Sequence, residues 1–136
     1  MGKARSRANK EVVGVTLDAG ALIALERGDR HMIAVLQELA LAGGRAHIPT
    51  GVVGQVWRGG GRQATLSRFL ASPQVEELAL DSALARACGE LCAASGCSDV
   101  IDASVVLVAR LHGEGVITSD VNDLRRLDPG ARLERI

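Results

Sequence analysis

Five aspartates carry the chemistry this sequence offers. Asp18 closes the apolar run Val12–Leu17, and Asp120 comes just after the run Val116–Thr118 and Ser119. Both runs are short and rich in β-branched residues, so they read as buried strands. The two acids then stand at strand carboxyl ends, where open α/β sheets bind their ligands. Asp99 and Asp102 lie three apart at the opening of a helical segment and share a face near its N-terminus. Asp123 follows Asp120 by about one turn. Taken singly, Asp18, Asp99, Asp120 and Asp123 each read as caps, because an acid near a helix N-terminus gains about 0.3–1 kcal/mol from the dipole. Asp102 does not. It interrupts the apolar segment Val100–Val108, and no Lys or Arg lies within the ten residues before it. An unpaired carboxylate there costs several kcal/mol, so it needs a partner. Carboxylates crowded at one sheet edge repel, and either their pKa values rise or a cation neutralises them. Hard oxygen donors without His or Cys favour Mg²⁺ or Mn²⁺. Such ions hold and polarise phosphates and acidify water, so the chemistry expected is phosphodiester hydrolysis.

The elements that must position these acids follow from periodicity. After Val12–Leu17, a helix is expected over Ala19–Arg27, with Leu22, Ile23 and Leu25 around one side. Gly28-Asp29 breaks it and caps a second helix over Arg30–Leu41, which Gly43-Gly44 stops. Ala46–Ile48 reads as a strand before Pro49, and Thr50 as the N-cap of a helix over Val52–Trp57. Gly59-Gly60-Gly61 makes a flexible break before a short helix, Arg62–Leu70. Val75–Leu80 is expected to be a strand, and Asp81 to cap a helix reaching about Ala94. Ser98 is the expected cap of Asp99–His112. Val116–Thr118, Asp120–Leu127 and Arg132–Arg135 then read as strand, helix and edge strand. Strands alternating with helices imply a parallel sheet covered on both faces. Right-handed crossovers narrow this to a three-layer α/β/α fold with a central parallel sheet of about five strands.

Composition narrows the function. At 136 residues, 47% apolar and 24% charged, the chain fits one globular domain with a core that needs no disulfides. Its apolar runs are far shorter than the roughly 20 residues of a membrane helix. No secretory signal is legible, so a cytoplasmic location is expected. One Trp, one Phe and no Tyr leave no aromatic platform for stacking RNA bases. The formal net charge of zero hides an asymmetry: Lys3, Arg5, Arg7 and Lys10 crowd the first ten residues without an acid. Residues 1–10 are expected to be a basic flexible tail, and 11–136 a single domain. Between Glu38 and Glu76 there are no acids but four arginines, Arg45, Arg58, Arg62 and Arg68. Arg58 and Arg62 flank the glycine triplet and are candidates for gripping an RNA backbone, since guanidinium matches phosphate bidentately; a solvated role is the equal alternative. Cys88, Cys92 and Cys97 are expected to be small buried side chains in a reducing compartment, not zinc ligands or a disulfide framework.

Three segments resemble a known family. Val15-Thr16-Leu17-Asp18-Ala19-Gly20-Ala21-Leu22 is similar to the opening motif of PIN-domain nucleases, in particular the VapC-like toxins of bacterial toxin–antitoxin pairs. Asp99-Val100-Ile101-Asp102-Ala103 resembles the central acidic motif of that family, and Ile117-Thr118-Ser119-Asp120-Val121-Asn122-Asp123-Leu124 its closing motif. The resemblance spans about residues 12–136. It implies an endoribonuclease that needs Mg²⁺ or Mn²⁺, is held inactive by a cognate antitoxin protein and is commonly a homodimer. By position, Asp18, Asp102 and Asp120 match the family's catalytic, metal-binding acids, with Asp99 and Asp123 as further ligands.

One position departs from the pattern. The family usually carries a Glu on the helix after the second strand, and this chain has Gln55 there. An amide offers an oxygen to a metal but has no charge and cannot act as a base. The alternative reading is therefore a catalytically weakened PIN domain that binds RNA or a partner. A receiver-like arrangement of acids is excluded, because it requires a later lysine and the only lysines are Lys3 and Lys10. The few charges in Ala19–Leu41 suggest a surface shared with a second copy or with the antitoxin.

Overall fold

The computed structural model describes residues 13–136; the basic segment 1–10 and Val12 lie outside them. Five strands and seven helices follow one another as β1 (Gly14–Leu17), α1 (Ala19–Glu26), α2 (Arg30–Leu41), β2 (Arg45–Pro49), α3 (Thr50–Val56), a 3₁₀ turn (Gly61–Gln63), α4 (Ala64–Leu70), β3 (Val75–Leu78), α5 (Ser82–Ser95), α6 (Val100–His112), β4 (Gly115–Thr118), α7 (Val121–Leu127) and β5 (Leu133–Arg135). The sheet is parallel throughout, in the order β3-β2-β1-β4-β5. Starting at β1 the chain winds outward through β2 to β3, then crosses back and continues through β4 to β5. Right-handed crossovers put α1–α4 on one face and α5–α7 on the other, and each group packs mainly within itself. The winding direction reverses between β1 and β4, so their carboxyl ends flank the switch point where α/β folds bind ligands.

The strands carry apolar side chains on both faces, as a doubly covered sheet demands. Leu17, Ile48, Val116 and Ile117 are buried together with Leu22, Met32, Val52, Leu66, Val105, Val106 and Leu124 from the helices. Each such side chain contributes about 1.5–3 kcal/mol on burial. The core is aliphatic, as the near-absence of aromatics requires. Cys88 and Cys92 are buried in it, Cys97 is half-buried, and all three are free thiols. No single helix among the described residues is long and apolar enough to cross a membrane.

Local chemistry sets the boundaries. Asp29 and Asp81 cap α2 and α5 by accepting from the amides of Met32 and Leu84, both at 2.8 Å. Two caps differ from expectation. The α6 cap is Asp99 rather than Ser98: its carboxylate accepts from the Asp102 amide at 3.0 Å, and an acid adds dipole stabilisation that a hydroxyl lacks. Thr50 does not cap α3 but opens it, and its Oγ1 instead accepts from the Leu80 amide at 3.2 Å, tying α3 to the end of the β3 segment. The expected helix over Arg62–Leu70 opens as a 3₁₀ turn and becomes α-helical only at Ala64. Gly59 and Gly60 cause this, with φ of 78° and 96°, a region that only glycine enters freely.

Candidate metal centre

β1 and β4 pair in register, with Leu17 against Ile117, so the next residues, Asp18 and Thr118, emerge side by side. The Thr118 hydroxyl donates to Asp18 Oδ2 and accepts from the Asp120 amide at 2.7 Å. One buried hydroxyl thus ties together two acids that are 102 positions apart in the chain. Asp18 also caps α1, its Oδ1 accepting from the Ala21 amide at 3.0 Å. Its side of the junction is tight. A methyl at Gly20 would come within 2.9 Å of Ser119 Cβ and 3.2 Å of the Ser119 amide nitrogen. Glycine here lets α1 start directly over the end of β4.

The N-terminus of α6 delivers the second pair of acids to the same place. Carboxylate oxygens of Asp102, Asp120 and Asp123 all lie within 4.8 Å of one another. Asp18 is 5% exposed, Asp102 is partly buried, and Asp120 and Asp123 are open to solvent. Burial raises the Asp18 carboxyl above its usual range, against the opposing hydrogen bonds from Thr118 and Ala21. Asp102 is pushed up to about 6, first by burial and then by the charges of Asp99, Asp120, Asp18 and Asp123. Asp120 is raised by burial and by a hydrogen bond and repulsion shared with Asp123. Among the described residues the ion pairs are His31–Glu134, His47–Glu76, His47–Glu114 and Arg110–Asp128. None reaches these five acids. An anionic pit without an internal counter-charge, built only of oxygen donors, fits a hard divalent cation such as Mg²⁺ or Mn²⁺.

The remaining candidate residues divide. Gln55 is exposed on α3, one turn beyond Gly51. A methyl at Gly51 would run into the Ile101 side chain, so this face of α3 is turned toward the first turn of α6. Arg58 and Arg62 share no helix face, because the chain leaves α3 at Trp57. The Arg58 guanidinium instead donates to the carbonyls of Gly54, at 3.2 Å, and Trp57, at 2.8 Å. Arg62 is exposed in the 3₁₀ turn. The loop is fixed by buried Gln63, whose Oε1 accepts from the amides of Arg58 and Gly59 and whose Nε2 donates to the Val56 carbonyl. Beside the pit runs an open groove of about 510 Å³ whose lining includes Gly20, Ile23, Arg27, Asp29, Ser119 and Ile136. Sequence reasoning missed Thr118 as a site residue. Its signal, a hydroxyl at the last position of a strand, points to Asp18 only once β1 is known to lie beside β4.

Residues 15–129 match the family model for the PIN domain. Several solved structures share the fold. The chain is similar to a component of VapBC2 from Rickettsia felis, bound to a DNA fragment from its promoter, with a TM-score of 0.70 and 17% identity over 90% of this chain and 98% of that one. A toxin–antitoxin complex from Klebsiella pneumoniae aligns with a TM-score of 0.61 and 21% identity, covering 80% and 88% of the two chains. FitAcB from Neisseria gonorrhoeae aligns at 0.58 and 16%, covering 88% and 95%. At these identities the likeness is one of fold. No curated protein matches the chain.

Proposed function

Because the chain belongs to the PIN domain family, we propose that it is an endoribonuclease dependent on Mg²⁺ or Mn²⁺, the toxin of a toxin–antitoxin pair. The observation that carries the reading is the unpaired acidic pit at the switch point, where Asp102 is held at about 6 by burial and its neighbours. Asp18, Asp102 and Asp120 would hold the cation, with Asp99 and Asp123 taking outer positions. When bound, Mg²⁺ or Mn²⁺ supplies polarisation of a phosphodiester oxygen and acidification of water.

The chain's own groups orient the rest. Thr118 fixes the Asp18 carboxylate and the backbone at Asp120, so the two acids keep their spacing while substrate arrives. Asp99 accepts from the Asp102 amide and thereby anchors the first turn of α6. The groove past Ser119 offers Arg27 to the RNA backbone next to the pit. Arg62 is an exposed cation for the same purpose, whereas Arg58 would have to release its two carbonyls first.

The partner reading rests on the structural neighbours, one described as a toxin–antitoxin complex and another as VapBC2 on its promoter DNA. A protein antitoxin is accordingly the proposed partner. A homodimer is the proposed assembly, with the exposed apolar side chains of Leu41 and Leu111 as candidate contacts; light scattering that finds only monomer at high concentration would remove it. The second reading, a binding module, is favoured by one observation, the amide at Gln55 in place of an acid. Single-stranded RNA incubated with the protein and Mg²⁺ or Mn²⁺ should be cut by the natural chain and not by Asp18→Asn. If both bind RNA and neither cuts it, the nuclease reading fails and the binding module stands.

A further inference from the structure

α3 shows three sides to its surroundings. Gly51 and Gln55 turn toward α6, and Val52 and Val56 are buried in the core. Val53 and Trp57, four apart, line a groove on the remaining side. Trp57, the only tryptophan of the chain, stays 41% exposed there, so the core does not account for its ring. The groove has a volume of about 370 Å³ and lies between the ends of α3 and α4 and strand β3. Val53, Leu70 and Ala71 make the rest of its wall apolar, and Ser67 and Glu77 add polar atoms. From this geometry we infer that the groove is a nucleobase site. It takes one guanine of a single-stranded RNA against the Trp57 ring, with Glu77 reading the Watson–Crick edge. The inference rests on the ribonuclease reading above and adds to it a base that the substrate carries.

Recognition of an unstacked base takes a flat apolar face, a polar group at the base edge and cations for the flanking phosphates. Trp57 supplies the face. One ring is no platform for a run of bases, but it holds a single one. Glu77 decides which base. A carboxylate only accepts, and guanine sets two N–H donors, N1 and N2, side by side on its Watson–Crick edge, where two carboxylate oxygens match them. Adenine and cytosine each set one amine beside an acceptor, and uracil sets one N–H between two carbonyls, which a carboxylate repels. Among the described residues no cation pairs with Glu77, so its oxygens remain available. The surrounding charge suits phosphate. Residues 39–75 hold four arginines and no acid, and among the described residues none of the four forms an ion pair. Arg62 is exposed in the turn between α3 and α4, and exposed Arg68 follows Ser67 directly. A protein segment seated here would need acids for these arginines and donors for Glu77 at once; a nucleotide carries both. α3 stands between the groove and the acids and is about 10–12 Å across, so a strand crossing it seats a base a few nucleotides from the bond at the acids.

With one tryptophan and no tyrosine in the chain, Trp57 emission reports the groove directly. The full chain, in chelator so that RNA stays uncut, is titrated with a short labelled uridine-rich RNA carrying one guanine. Trp57 emission and the anisotropy of the label are followed together. The guanine RNA should quench Trp57 and bind about tenfold more tightly than the same RNA with hypoxanthine, which lacks the N2 amine. Trp57→Ala should weaken binding about tenfold, and Trp57→Phe, which keeps a ring, should restore most of it. Glu77→Ala, at an exposed position, should keep the quenching and bring the two RNAs to equal affinity. The inference is overturned if RNA binds with Trp57 emission unchanged, or if the natural chain binds guanine and hypoxanthine alike. It is equally overturned if a folded Trp57→Ala binds as tightly, or if Glu77→Ala keeps the preference. Emission that changes with protein concentration but not with RNA would give the groove to a second copy and overturn it too. RNA whose anisotropy shows no binding at all removes the ribonuclease reading as well, so the label tells the two failures apart.

Discussion

Replacing Asp102 with Asn should stabilise the metal-free protein at neutral pH while disabling its proposed chemistry. Burial and the surrounding acids raise the Asp102 carboxyl from 3.8 to about 6. In the window between those values the folded chain holds a proton that the unfolded chain has released. The contribution of this group to stability is therefore complete below about pH 3.8 and is lost as pH rises through 6. A difference of about two pH units corresponds to about 3 kcal/mol. Asp102 is only partly buried, so solvent screening removes a share of this. Its place in the first turn of α6 returns about 0.3–1 kcal/mol to the carboxylate. A net gain of about 1–2 kcal/mol remains for the amide, or roughly 4–8 °C in Tm for a domain of this size. Thermal and urea unfolding of both proteins in chelator, at about pH 7.5 and about pH 4, measures it. The variant should be the more stable at the higher pH and equal at the lower, and added Mn²⁺ should stabilise the natural chain more. An Asp102→Asn variant that is equally stable, or less stable, in chelator at neutral pH would refute the crowding on which the metal reading rests.

Three further substitutions probe the same pit. Thr118→Val removes the hydroxyl between Asp18 and the Asp120 amide; it should cost about 1–3 kcal/mol in denaturant unfolding and lower RNA cleavage while leaving RNA binding in place. Gly20→Ala drives a methyl toward Ser119 and should cost about 1–3 kcal/mol, with α1 displaced from β4 and cleavage reduced; an unchanged Tm would show that the junction can relax. Gln55→Glu adds a carboxylate on the α3 face that meets α6, and should raise Mn²⁺ affinity roughly tenfold by calorimetry. If affinity does not change, Gln55 does not stand at the cation.

Much of the fold was legible because its signals are local. Apolar runs near residues 15, 47 and 117 and weaker strand signals near 76 and 134, separated by 3.6-period segments, specified a parallel α/β sheet, and all five strands form at those places. Errors fell where tertiary partners compete for a residue. Thr50 looks like a cap but serves the Leu80 amide, and Asp99 outcompetes Ser98 because it is charged and can reach the Asp102 amide. The Arg58 guanidinium donates to the Gly54 carbonyl at the end of α3, a contact that no spacing in the sequence signals.

The sequence by itself determined the kinds of element, their order and the five acids at strand and helix ends. Spacing of side chains along one segment is enough to encode those. Only the tertiary structure decided that β1 lies between β2 and β4, which sets Thr118 against Asp18, brings Asp102 over Asp120 and stacks His112 on His47. Strand order depends on crossovers that join residues about a hundred positions apart, and it is settled by the burial of both sheet faces together. No period within a single segment records that.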